Sequence, residues 1–152
     1  MSRRVLRGFD PSRLRESRLA ARSGAGLTIA ETARAAGVSA ATIYQWESGI
    51  RTPQVDVLAA VTAVLDIRIE DVVNVPLDER FPSDLRVLRG LTQPQLGQMA
   101  ELPTAVVGRI ERADIPLTDD KLEVLSKLVG VEQPVYRAAY ERARRRPAGT
   151  LA

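Results

Sequence analysis

Four residues at fixed spacing constrain this chain more than anything else in it: Ala33, Gly37, Ile43 and Trp46. They lie in the stretch Thr28–Pro53, TIAETARAAGVSAATIYQWESGIRTP. A small residue in one helix lets a second helix cross closely, and Ala33 supplies it. A glycine four residues on makes the turn in a left-handed conformation that other residues adopt only at a cost. Apolar residues six and nine positions beyond that glycine face the same way on the next helix and anchor it. The spacing therefore predicts two short helices joined by a tight turn. Thr28 and Glu31 form a capping-box signature at the first start, Ser39 is suited to cap the second helix, and Val38 plugs the gap between them. Gly49 ends the second helix and opens an exit loop.

The surrounding sequence reads as helices as well. Residues 1–10 are expected to be a flexible basic arm. Pro11-Ser12 opens a helix with a thin seam of Leu14, Arg18/Leu19 and Arg22, ended by Ser23–Gly26. After Pro53, Val57/Leu58, Val61 and Val64/Leu65 form an apolar stripe, and residues 69–73 add one more helical turn. The segment from Asn74 to Pro82 has two prolines and a charge cluster and reads as a linker. No stretch alternates as a strand does.

The second half repeats the first at a shift of 64 residues. Leu91-Thr92 fall on Leu27-Thr28, Gly97 on Ala33, Leu102 on Val38, Val107 on Ile43, Ile110 on Trp46 and Glu111 on Glu47. Leu122, Leu125 and Val131 fall on Leu58, Val61 and Ile67. The copy departs at three places. Glu101 stands where the turn glycine belongs, at a cost of ~1 kcal/mol for a left-handed non-glycine residue. Pro103 replaces the serine cap, losing another ~1 kcal/mol. Gly108 weakens its helix by a similar amount. From Gln133 to Arg146 a last helix follows, with Val135/Tyr136, Ala139/Tyr140 and Ala143 on one face.

Charge separates the ends from the body. Residues 1–10 are net +2, residues 11–74 neutral, residues 75–136 net −3 and residues 137–152 net +4. Basic ends on a neutral body suit contacts to phosphates. The chain has no cysteine and no histidine, which removes disulfides, thiolate chemistry and the commonest catalytic base and metal ligand. With no phosphate-cradling glycine loop and no clustered carboxylates, an enzyme is not expected, nor is any cofactor or metal. No run of ~20 apolar residues is present to span a bilayer. The N-terminus lacks an apolar signal region, so a cytoplasmic, nucleoid-associated protein is expected. Trp46, Tyr136 and Tyr140 read as core residues. Glu47 and Glu111 read as helix-end bonding groups, and Asp78-Glu79 and Asp119-Asp120 as solvated charge.

The segment Gly37-Val38-Ser39-x-x-Thr42-Ile43-x-x-Trp46-Glu47-Ser48-Gly49-x-x-x-Pro53 resembles the Cro/phage-repressor (XRE) family of DNA-binding helix-turn-helix domains. The resemblance covers residues 12–73 well. It is weaker over 83–131, where Leu91-Thr92-Gln93 and Arg109-Ile110-Glu111 carry it. It implies an all-α chain of two tandem five-helix lambda-repressor-like domains. The expected divisions are a basic arm at 1–10, domain 1 at 11–74, a linker at 75–82, a divergent domain 2 at 83–132 and a basic helix and tail at 133–152.

The resemblance also implies a site. Base-facing positions fall on Ala40, Ala41, Thr42, Tyr44 and Gln45, and in the second copy on Thr104, Ala105 and Arg109. Phosphate positions fall on Thr28, Ser39, Arg51, Gln93 and Arg112, and the basic C-terminal end adds Arg144, Arg145 and Arg146. Glutamine can pair bidentately with adenine, an alanine methyl can pack on thymine, and arginine can read guanine. The implied partner is double-stranded DNA, read by a bacterial or phage-type transcriptional regulator with the helix near residues 39–47 in the major groove. The alternative is a docking module, antitoxin-like or polymerase-contacting, in which domain 2 is a degraded reader that holds a protein partner or a second copy of the chain.

Overall fold

The computed structural model describes residues 6–152. Among them the chain is all-helical, with two compact units, one ending at Asn74 and the other running from Val75 to Ala152.

Unit 1 holds α1 (Pro11–Ala20), α2 (Ile29–Ala36), α3 (Ala40–Glu47) and α4 (Val55–Leu65), then a 3-10 turn at Ile69–Asp71. Each start has a local cause. Asp10 caps α1 by accepting from the amides of Ser12 and Arg13, with Pro11 in the first turn. Thr28 and Glu31 form the expected reciprocal capping box of α2. Gly37 ends α2 at φ 72°, and the Ser39 hydroxyl accepts from the Thr42 amide to start α3. Thus the four spaced residues sit as the sequence predicts: Ala33, Ile43 and Trp46 are buried around a left-handed glycine. Leu14, Leu58, Val61 and Val72 complete this core.

Two expectations for unit 1 are corrected. The seam of α1 is Leu14 and Arg18; Leu19 is 51% exposed, because α1 turns that side to water. The flexible arm does not extend to residue 10. Phe9 pairs with Val73 as an isolated antiparallel bridge, Asp10 N–H donates to the Val72 carbonyl and Asn74 N–H to the Gly8 carbonyl, both at 2.8 Å. The start of the unit is thereby pinned to its end. Arg3 and Arg4 lie outside the described residues.

Unit 2 opens with buried Val75 and a 3-10 turn at Leu77–Glu79. It continues through α5 (Pro82–Leu88), α6 (Gln93–Ala100), α7 (Thr104–Glu111), α8 (Asp119–Val129) and α9 (Gln133–Arg144). Its core joins Leu85, Leu96, Val107, Ile110 and Leu125 to Tyr136, Ala139 and Tyr140 of α9. The last helix is therefore part of this core. The Tyr140 hydroxyl donates to the Ile115 carbonyl at 2.8 Å, and Arg142 donates to the Arg80 carbonyl at 2.7 Å. The three departures are visible as expected. Glu101 is left-handed at φ 57°, Pro103 gives α7 no side-chain cap, and Gly108 lies inside α7.

Candidate nucleic-acid interface

Helix α3 of unit 1, the second of the helix pair, presents two unlike faces. Ile43 and Trp46 point inward and are buried. Ala40, Ala41 and Tyr44 are exposed, with Tyr44 at 59%, and Thr42 and Gln45 are half-buried beside them. All five base-facing positions of unit 1 thus lie off the core. The Thr42 hydroxyl shares a 2.8 Å hydrogen bond with the Ser39 hydroxyl, whose oxygen also accepts the Thr42 amide. Ser39 takes part in the same cap. Gly49, at φ 77°, carries the chain into an exposed loop containing Ile50 and Arg51. The Arg51 amide donates to the Gln45 carbonyl at 3.2 Å, which ties the loop to the helix it leaves.

A buried ion pair fixes this helix in place. Arg18 reaches Glu47 with Nε at 2.7 Å and Nη2 at 2.8 Å, and gives Nη1 to the Leu27 carbonyl at 2.9 Å. One side chain thereby joins α1, the segment before α2 and the end of α3. The Glu47 hydrogen bond is the main reason the guanidinium pKa is raised; burial works against it. At the start of α2 the Thr28 hydroxyl and amide are both engaged by Glu31. Those bonds hold the Glu31 carboxyl below the usual carboxylate range, the Thr28 side chain contributing most and Arg22 and Arg34 a little.

Unit 2 contains a related arrangement in which a glutamine takes the place of the second guanidinium prong. Arg86 Nε meets Glu111 at 2.7 Å and Arg86 Nη1 donates to the Leu91 carbonyl at 2.8 Å. The other Glu111 oxygen accepts from Gln93 Nε2 at 2.8 Å, so this glutamine is turned partly toward the interior. Burial pushes the neighbouring Tyr136 hydroxyl up, and the Glu111 carboxylate adds to the effect. Thr104, Ala105 and Arg109 are exposed on α7. Arg112, just after it, bonds Asp114 at 2.9 Å.

The C-terminal arginines divide into two kinds. Arg144 and Arg145 are exposed and make only long surface pairs with Glu141, at 3.7 and 3.8 Å. Arg146 is held by the carbonyls of Arg112 and Ala143 at 2.6 Å and of Thr150 at 2.9 Å. Sequence reasoning missed Arg18 and Arg86 as the partners that seat these helices. The one available signal was the recurrence of Glu47 at Glu111. It also missed exposed Ile50, and Gly108 as a seat for Arg112.

Among the described residues, no group of three or more acidic, cysteine or histidine side chains is placed to hold a metal ion. None of their helices is long and apolar enough to cross a membrane.

A glycine turn, a second helix with a buried anchor face and an open face, and an exit loop carrying Arg51 have the layout of a helix-turn-helix. Residues 19–72 match the helix-turn-helix family model, which supports a Cro/repressor-like helix-turn-helix of the kind found in DNA-binding regulators. A search of curated proteins found no match to the chain.

Proposed function

We infer that the chain is a sequence-specific regulator that lays α3 in the major groove of double-stranded DNA. The observation that carries this is the open face of α3, with Ala40, Ala41, Tyr44 and Gln45 turned away from the Ile43–Trp46 anchor and Arg51 following in the exit loop. Gln45 is the base reader on this face, and the two alanine methyls and Tyr44 read shape and thymine methyls. Arg51 and the arginines at 144–146 contact phosphates and supply affinity without sequence preference.

Unit 2 is a second, divergent helix-turn-helix in this reading, with Thr104, Ala105 and Arg109 facing bases and Gln93 and Arg112 facing phosphates. The support is the recurrence of one buried contact set: Arg18 with Glu47 and the Leu27 carbonyl, and Arg86 with Glu111 and the Leu91 carbonyl. Each leucine and each glutamate lies at the 64-residue shift from its counterpart. Unequal readers favour an asymmetric operator. The contrary reading makes unit 2 a docking module for a protein partner or a second copy, on the ground that α7 lacks a side-chain cap and follows a strained turn.

Selection of bound fragments from a random duplex pool tests the assignment. Enrichment of one asymmetric site with a preferred adenine is expected. No retarded DNA at low salt, with the chain folded, removes the DNA reading and leaves the docking one.

A further inference from the structure

Unit 2 builds a cationic cleft where the exit of α7 meets the end of α9. Arg112 and Asp114 line it from one side, Arg144 and Arg146 from the other, and the tail Pro147–Thr150 folds along its edge. It is open to solvent and encloses about 300 Å³, room for a phosphate group with its remaining waters. Three guanidiniums face one carboxylate, so the lining carries a surplus of positive charge.

The cations are positioned by the fold. Arg146 is fixed by three backbone carbonyls, one of them that of Arg112. Asp114 takes only the Nε–H of Arg112, leaving further donors of a five-donor fork. Arg112 Nη1 lies over Gly108, where a Cβ would come within 3.1 Å of it and within 3.5 Å of the Gln93 amide. Arg144 has only a long, exposed pair with Glu141, of a kind worth little, and is available to a ligand. Preset guanidinium forks are suited to binding oxyanions through two hydrogen bonds at once. Unit 1 lacks the parts: Ile29, Tyr44 and Ser48 stand 64 residues before Gln93, Gly108 and Arg112.

We propose that this cleft binds a phosphate group through Arg112, Arg144 and Arg146, with Gly108 leaving room for Arg112 to lie against α7. The phosphate belongs either to a DNA backbone or to a free phosphoryl ligand. The first source rests on the DNA reading above; the cleft geometry does not.

The test uses the full-length chain, labelled with nitrogen-15 and titrated at low salt. One arm adds a random-sequence duplex and the other inorganic pyrophosphate. The arginine Nε–Hε signals of Arg112, Arg144 and Arg146 and the amides of Gly149 and Thr150 are followed. Saturable shifts are expected in at least one arm. The variant Arg112→Gln/Arg144→Gln is expected to bind that ligand at least about 10-fold more weakly, since the loss of even one charge-assisted hydrogen bond has that effect. Should that variant unfold, Arg144→Glu alone, at an exposed side chain, serves the same purpose. Shifts with duplex alone assign the cleft to DNA, and shifts with pyrophosphate alone assign it to a free phosphoryl ligand. No saturable shift in either arm, or undiminished binding by the folded variant, overturns the proposal. Duplex retarded in gels while the cleft signals stay still overturns the cleft and leaves the α3 reading standing. Pyrophosphate binding with no DNA binding does the reverse.

Discussion

Arg18 and Glu47, 29 residues apart in the chain, form a two-pronged ion pair inside unit 1, with N–O distances of 2.7 and 2.8 Å and side chains less than a tenth exposed. The pair locks the end of α3 to α1, so the open face of α3 is held by the first helix as well as by the core below it. Glu111 and Arg86 do the same for α7.

Breaking the pair from one side is therefore expected to be severe. Arg18→Met leaves Glu47 buried without its cation and costs about 3–5 kcal/mol. The double change Arg18→Met/Glu47→Leu is expected to return much of that loss, because neither charge then remains uncompensated. Urea unfolding followed by the fluorescence of Trp46, the sole tryptophan and buried in unit 1, reads both. A single variant as stable as the wild type contradicts the account.

Acid weakens the start of α2. The folded state holds the Glu31 carboxyl below its ordinary value of 4.5, so its stabilising bonds to Thr28 are present above that pH and are lost as pH falls through the folded value. Wild type is expected to be more stable than Glu31→Gln at neutral pH, with the difference shrinking as pH falls below 4.5. Thermal melts of the two proteins across that range measure it. A difference that grows on acidification has the wrong sign.

Two glycines in unit 2 are expected to respond oppositely to alanine. A Cβ on Gly97 would stand 2.7 Å from the Leu102 carbonyl oxygen, a backbone atom that cannot step aside, and Gly97→Ala should cost about 1–3 kcal/mol. The atoms nearest a Cβ on Gly108 are the side-chain ends of Arg112 and Gln93. Those ends can move, and Gly108→Ala should gain up to ~1 kcal/mol of helix propensity. Denaturation midpoints of the two variants decide it; equal losses would show that the Arg112 end is not free to yield.

Glu101 carries the turn of unit 2 at φ 57°, a conformation that costs a side chain and suits glycine. Glu101→Gly is expected to stabilise the protein by ~1 kcal/mol. A lower unfolding temperature would mean that the glutamate makes a compensating contact that outweighs its strain.

Gln45 and Arg51 are expected to separate specificity from affinity. Gln45→Ala should relax choice at one base pair, by about 1–3 kcal/mol of discrimination. Arg51→Ala should weaken all duplexes alike and lower the slope of log affinity against log salt by about 1. Competition binding over a set of single-base variants, repeated at several salt concentrations, distinguishes them.

Much of this was legible in the sequence, for a physical reason. Ala33, Gly37, Ile43 and Trp46 each lie within two helical turns of the next, and the caps at Thr28 and Ser39 act over three residues. Interactions of such short range leave a periodic signature. Arg18 left little: its spacing places it on the thin seam of α1 beside Leu19, and only its carboxylate partner on α3 explains the burial of its charge. Gly108 reads as a helix weakness, because the Arg112 side chain that lies over it makes no mark on the pattern.

By itself, then, the sequence determined the helices, their caps, the glycine turn between α2 and α3 and the polarity of α3, all products of local backbone preference and hydrophobic spacing. The tertiary structure decided which distant charges meet. It paired Arg18 with Glu47, turned Gln93 toward Glu111, brought α9 into the core of unit 2 and set Arg146 against the carbonyl of Arg112. Charged side chains are long and their pairing depends on which helices cross. No periodicity encodes that, and the packed core supplies it.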